Sequence, residues 1–491
     1  MKIVVEGNLS SDGSYGIVNA NLGRVLARRG HQVAFVGLDL GDHDLSTILR
    51  GPDYEGLRVS VGEPGWSPDV RIRQIWPPVW DRRRPEERLV VIQPWEFGSV
   101  PRSWIEGINN VDAVWVPSEY CKRGYIQSGI DLAKVWVVPN GCDVDSRVAN
   151  SRTRRERTRL LFLGGAIFRK GIDVLVNALD QLGDATLNRL DLVVKEVGHD
   201  SYYRNQSLLE GSLSAHPRVR ARTTVESRHL ERAQLLDVIA DADVLVHPYR
   251  AEGFAMPILE AMALGTPVIH TQGGASNEFC GPGESLLIPS ALATSDSSNI
   301  GDLVLADQCY WLEPSVEQLS DLIARFVDGH TDVESLVRAA RSRAASLSWD
   351  HVGETAYRAL EQLLDEGSPA DSLSQLATDL ALQLEALTPR PAPLLSRLVA
   401  IGDFTTARQL ATICEEKVDA SVGAELVRVR GLLASITRTA PDVWSAGPYR
   451  RLLGEASFEK AGRVAPERRS ADGEQSTFTR PPRSLVEHEM F

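Results

Sequence analysis

Glu252 and Glu260 stand eight positions apart in the stretch 250–271, RAEGFAMPILEAMALGTPVIHT. Gly253, Phe254, Ala255 and Met256 follow the first glutamate, and Pro257 is placed to open a helix. Proline at a first helical position gives up no needed donor, and its φ already suits a helix. The N–H groups of Gly253, Phe254, Ala255 and Met256 lie about the helix start without intrahelical acceptors, and the helix dipole favours an anion there. A carboxylate on either side of such a seat suits a ligand rich in both phosphate and hydroxyls. The backbone receives the phosphate, and the carboxylates, which repel phosphate, accept hydrogen bonds from sugar hydroxyls. Two arbitrary glutamates would read as solvated charges. The Gly-Phe-x-x-Pro spacing and the apolar strands on both sides favour a site.

Three further segments carry chemistry. The loop Gly164-Gly165-Ala166-Ile167-Phe168-Arg169-Lys170-Gly171 places two cations between glycines. Lysine as a point charge and arginine as a fork both suit a pyrophosphate, although the sequence lacks the GxxxxGK[ST] of a P-loop. The N-terminal loop GNLSSDGSYG holds Gly13 and Ser14, and its glycines allow close backbone approach to a ligand; it is not a GxGxxG fingerprint, and a plain βα loop is an equal reading. Glu96, in Gln93-Pro94-Trp95-Glu96, follows a strand end and is either catalytic or a surface loop charge.

The elements that must position these residues alternate between apolar strands and amphipathic helices. Strands are expected over 2–5, 33–36, 57–61, 70–76, 89–92, 113–116 and 135–138, with helices over 15–29 and 118–127. The polar, basic run SRTRRERTR at 151–159 reads as a linker. A second alternating region then begins, with strands over 160–163, 190–197, 244–246 and 268–269 and helices over 172–182, 316–326, 333–345 and 349–364. Ligands bind open α/β sheets at the carboxyl ends of the strands, where all four candidate loops lie.

Composition narrows the function. At 491 residues the chain needs more than one core. A net charge of −13 argues against a general nucleic-acid binder. Cys121, Cys142, Cys280, Cys309 and Cys414 are scattered and form no CxxC pair, which argues against a disulfide framework or a zinc site. No run is long and apolar enough to span a bilayer, and Met1 leads straight into a strand. The expected location is the cytoplasm, extending to peripheral contact with the inner membrane face.

Taken in order, the Glu252 and Glu260 pair in EGFAMPILE, the Gly13 loop, the Pro139-Asn140-Gly141 turn and the Arg169-Lys170-Gly171 loop resemble a GT-B-fold glycosyltransferase of the large retaining family 4. The resemblance covers about the first three quarters of the chain, up to Leu364. It implies an α/β chain of two Rossmann-like, doubly wound domains facing across a cleft. The acceptor-side domain spans 1–150, the linker 151–159 and the donor-binding domain 160–345; the helix at 346–366 returns to the first domain. An α-helical extension over 367–460 and a disordered tail over 461–491 follow, and the extension is a candidate for binding a protein partner. By motif position, Glu260 holds the ribose and Glu252 the transferred sugar. Gly253, Phe254, Ala255 and Met256 hold the diphosphate with Lys170, while Gly13 and Ser14 approach from the other domain. Glu252, Lys170, Arg169 and Glu96 form the expected catalytic group, with Tyr15 and Trp95 on the acceptor side.

Two departures from the family pattern stand out. Gly164-Gly165 occupies a place where relatives carry Gly-Arg, and Trp95 a place where they carry His. The implied function is transfer of a sugar from a UDP- or GDP-linked donor to a hydroxyl on a carbohydrate, lipid-linked or small-molecule acceptor. Anomeric configuration is retained, and neither metal nor cofactor is used. The alternatives are a sugar-nucleotide epimerase, or a non-catalytic sugar-nucleotide sensor or scaffold.

Overall fold

The computed structural model describes residues 1–10, 13–49, 51–143, 155–198, 206–295, 298–307 and 309–365. The expected helical extension and tail lie outside them. Residues 1–364 fall within one compact unit built on two parallel sheets.

The first sheet has seven strands in the order β3-β2-β1-β4-β5-β6-β7. They are β1 Lys2–Gly7, β2 Gln32–Gly37, β3 Val59–Val61, β4 Val70–Gln74, β5 Arg88–Ile92, β6 Ala113–Val116 and β7 Val135–Val137. Every pairing is parallel. The second sheet has six strands in the order β10-β9-β8-β11-β12-β13. They are β8 Thr158–Gly164, β9 Leu190–Glu196, β10 Thr223–Glu226, β11 Val244–His247, β12 Val268–Thr271 and β13 Leu286–Ile288, again all parallel. Both strand orders reverse next to their first strand, so each sheet is doubly wound as expected. Because helices cover both faces of such sheets, the central strands are apolar throughout: Val244, Leu245 and Val246 are wholly buried.

One face of the first sheet departs from that rule. Alternation on β1 and β4 sends Ile3, Val5, Val70 and Ile72 into the apolar core, and turns Glu6, Arg71 and Arg73 to the opposite face. Loop residues from 63 to 87 cover that face. Arg71 donates to Glu87 at 3.1 Å and to Glu63 at 2.5 Å, and Arg73 donates to Glu6 at 2.8 Å and to the carbonyls of Val79 and Asp81. A buried ionic lattice thus replaces a packed helix.

The structure moves two expected boundaries. β4 stops at Gln74 rather than at 76, because Pro77 and Pro78 supply no ladder donors. β8 begins at Thr158, so the last residues of the expected linker belong to the sheet. Arg155 and Arg159 there pair with Asp241.

The sequence analysis assigned nothing between β13 and the helix Val316–Val327. Four short strands lie there: β14 Ser290–Thr294, β15 Asn299–Ile300, β16 Leu303–Val304 and β17 Tyr310–Pro314. β14 pairs with β17 and β15 with β16, both antiparallel. This arm crosses to the first domain, where isolated antiparallel bridges join Gly98 to Cys309 and Pro101 to Leu305. Arg102 N–H donates to the Val304 carbonyl at 2.8 Å, and Ala306 N–H to that of Val100 at 2.9 Å. Ile300, Leu305, Cys309 and Trp311 of the arm share one apolar cluster with Phe97, Val100 and Trp104.

The last described helix, Trp349–Asp365, touches residues that flank the first sheet. Trp349 N–H donates to the Asp143 carboxylate at 3.0 Å, Arg29 pairs with Glu354 at 2.6 Å, and Tyr357 stacks on His31. Among the described residues no helix is long and apolar enough to cross a membrane.

Replacing Arg71 by Ala is expected to cost about 3–5 kcal/mol, because Glu6 and Glu87 would remain buried without their shared cation. The denaturant midpoint checks this. Burial pushes the Glu6 carboxyl up, but Arg73, Arg71 and Arg83 bring it below the ordinary glutamate value. Its folded pKa is therefore the lower one. The stability it contributes is present above the unfolded pKa and is lost as pH falls through the folded value, so a urea series over that window should show wild type losing stability more steeply than Glu6→Gln.

Candidate functional site at the domain junction

The carboxyl ends of β8 and β11 bring the cationic and acidic loops together. Gly171 makes this possible. It sits at φ 73°, and a Cβ there would lie 1.9 Å from the Pro248 carbonyl. Only glycine lets the end of the cationic loop touch the chain leaving β11. Arg250 N–H then donates to the Arg169 carbonyl at 2.7 Å. The buried Arg250 guanidinium finishes the joint. It holds both Asp173 oxygens at 2.8 Å, the Phe168 carbonyl at 2.9 Å and Glu313 of β17 at 2.9 Å, while lying 4.1 Å from the Phe168 ring centroid.

Glu252 is the centre of the charged group. Lys170 Nζ pairs with its Oε1, Arg169 approaches its Oε2 at 3.5 Å, and His247 Nε2 lies 3.1 Å from Oε1. Burial pushes the Glu252 carboxyl up, but Lys170, the His247 hydrogen bond and Arg169 together hold it well below the ordinary range, so it is ionised at any working pH. Burial conversely pushes His247 down, which leaves the imidazole neutral. From the first domain, Glu96 meets Arg169 at 3.8 Å. The four expected catalytic residues, Glu252, Lys170, Arg169 and Glu96, therefore converge on one spot.

The loop between the glutamates is pressed against the first domain. The Gly253 carbonyl accepts from Ser118 Oγ at 2.8 Å and from Cys121 Sγ at 3.4 Å. Phe254 stacks on Phe279, with centroids 4.7 Å apart. Ala255 is the one non-glycine with positive φ among the described residues, at 72°, and Met256 begins the helix Met256–Leu264 just behind it. An alanine held in the left-handed region marks a backbone fixed by its surroundings. Nearby, the Glu278 carboxylate receives the N–H groups of Glu119 and Tyr120 at 2.9 and 2.7 Å, a second acidic contact across the junction.

Other expected residues lie apart from this centre. Glu260 is buried in the helix Met256–Leu264 and pairs with Arg232 at 2.7 Å. Gly13 caps the helix Ser14–Arg28 in extended geometry, with open space where a Cβ would stand, and Ser14 is exposed. Tyr15 Oη accepts from Gln93 Nε2 at 3.5 Å, which joins the glycine loop to the loop after β5. Trp95, expected to face an acceptor, is 3% exposed instead. Its indole N–H donates to the Ser99 carbonyl at 2.8 Å, and its ring packs against Phe97 and Trp104. Bulk and a single backbone partner draw it into the core.

Sequence reasoning missed His247, Arg232, Ser118 and Glu278. His247 carried a signal, a lone polar residue ending the apolar run Val244-Leu245-Val246. Arg232 carried another, a cation at a helix start, where the dipole disfavours it.

Comparison with known proteins follows the same geometry. A family model described as "Glycosyl transferases group 1" matches residues 157–303, the sheet that carries both loops. The D-inositol 3-phosphate glycosyltransferase of Xylanimonas cellulosilytica is 34% identical over 155 residues, 29% of this chain and 36% of that protein. The enzyme of the same name from Corynebacterium jeikeium is 27% identical over 338 residues, 62% of this chain and 71% of that protein. The chain thus matches only about a third of the first relative's length. The crystal structure of Anabaena Alr3699/HepE in complex with UDP and glucose superimposes with a TM-score of 0.52 at 14% identity, covering 74% of this chain and all of that one. A family model on the second sheet and a GT-B-like fold across both sheets thus make the chain similar to the group 1 glycosyltransferases.

Proposed function

We propose that the chain transfers a sugar from a UDP- or GDP-linked donor to a hydroxyl acceptor, with retention of anomeric configuration and without a metal. The observation that carries this reading is the meeting of Lys170, Arg169 and Glu252 at the carboxyl ends of β8 and β11, with Glu96 opposite. Two cations beside a helix start suit a diphosphate, and an ionised carboxylate beside them suits the hydroxyls of the sugar attached to it. The acceptor oxygen bonds to the anomeric carbon as that carbon's bond to the phosphate oxygen breaks. The bonding pair leaves with the nucleoside diphosphate, and the acceptor proton passes to the departing oxygen on the same face. Lys170 and Arg169 stabilise the charge that develops there. UDP and glucose in the Anabaena structure support a nucleotide-sugar donor of this kind.

Incubation with a panel of UDP- and GDP-sugars, followed by mass spectrometry, tests the reading. Slow donor hydrolysis in the absence of acceptor is expected; tight binding with no turnover over the whole panel would point to a sensor instead. Lys170→Ala should lower turnover by about 10²–10³-fold. Glu252→Gln should separate two effects. Transfer falls, yet binding of inorganic pyrophosphate measured by calorimetry tightens, because Lys170 and Arg169 lose the carboxylate that neutralises them.

A further inference from the structure

Arg232 opens the helix Arg232–Ala240, directly after the capping residue Glu231. A cation in a first helical turn faces the positive end of the dipole, so local physics does not account for its place. Its partner does. Arg232 reaches across to the helix Met256–Leu264 and holds Glu260 Oε1 at 2.7 Å. The Glu260 side chain is 4% exposed, whereas that of Arg232 is 27% exposed, so the guanidinium forms the open edge of the pair. Ile258, Leu259, Ala261 and Met262 around Glu260 are wholly buried. An isolated carboxylate in such a setting would take up a proton. The groups facing Glu260 are Arg232 from the neighbouring helix and Cys142 from the turn after β7, whose thiol burial pushes up and keeps neutral. Burial, the larger effect, leaves the Glu260 carboxyl above its ordinary value, and the Arg232 guanidinium at 2.7 Å is the charge that opposes it.

The protonation state matters for what Glu260 can bind. As a carboxylate it accepts from two neighbouring hydroxyls at once; as an acid it must donate one of its own hydrogen bonds. We propose that Arg232 is the positioning residue for ribose recognition, holding Glu260 charged and oriented so that it accepts both ribose hydroxyls of the donor. This rests on the assignment of Glu260 to the ribose. It adds a specificity element, since a site built on that pair rejects a nucleotide lacking one hydroxyl.

The test is calorimetric binding of UDP and GDP, and of their 2′-deoxy and 3′-deoxy forms, to the full chain. Wild type should prefer the ribonucleotide by about ten- to a hundredfold, the range of hydrogen bonds to a charged group. In Arg232→Ala this preference should shrink to about twofold or less. Loss of ribonucleotide affinity should also begin at a higher pH than in wild type. The Glu260 pKa, already raised by burial, rises further without its cation, so the carboxylate is lost earlier as pH falls. Arg232→Lys should restore much of the preference, and Arg232→Gln, which keeps a hydrogen-bond donor without the charge, should not. In a Glu260→Gln background Arg232→Ala should have no further effect. If Arg232→Ala and Arg232→Gln keep the wild-type preference and pH profile while Glu260→Gln loses them, the role of Arg232 is overturned. If wild type and Glu260→Gln alike fail to distinguish ribose from deoxyribose, the assignment of Glu260 falls, and the proposal with it. If wild type binds none of the nucleotides, the proposed function itself is overturned.

Discussion

The guanidinium of Arg250 is the joint on which the site depends. Its five donors are divided among three parts of the second domain: Asp173 of the helix behind the cationic loop, the Phe168 carbonyl within that loop, and Glu313 at the root of the arm. Lysine could not span these directions, because the contacts need a planar fork and a face that lies flat on Phe168. A buried arginine is costly unless its donors are met, and here carboxylates on two sides meet them. The same residue's backbone bonds to Arg169 and Leu312, so side chain and main chain fasten the same segments. Lys170 can reach Glu252 because this joint fixes where both loops begin.

The charged centre above that joint is internally balanced. Glu252 neutralises Lys170, Glu96 and Glu252 share Arg169, and His247 stays neutral beneath them. Each charge there is met by an opposite one, and burial strengthens these pairings because little competing solvent reaches Glu252.

Much of this was legible in the sequence. The parallel strands announced themselves as unbroken apolar runs, and the spacing of Glu252, Pro257 and Glu260 located a loop, a helix start and two carboxylates. Lys170 was visible because glycine on both sides marks a loop able to approach another chain closely. The arm was not legible. Its strands are two to five residues long and hold no sustained alternation, and they are stabilised by bridges to the segment about Gly98 to Arg102, a partner far away in sequence. Trp95 misled for a related reason. Its position after β5 suggested the junction, but its orientation is set by Ser99, Phe97 and Trp104, which only the fold brings around it. The partner of Glu260 was hidden likewise, since a pair between helices leaves no periodic trace.

The arm also bears on how the chain is made. Phe97, Val100 and Trp104 belong to the first domain, yet the apolar cluster they build is completed by Ile300, Leu305, Cys309 and Trp311, some two hundred residues downstream. As the chain leaves the ribosome, the first domain emerges with one flank of its core still missing. That flank stays open until the arm has been synthesised, so the core of the first domain is completed only late in elongation.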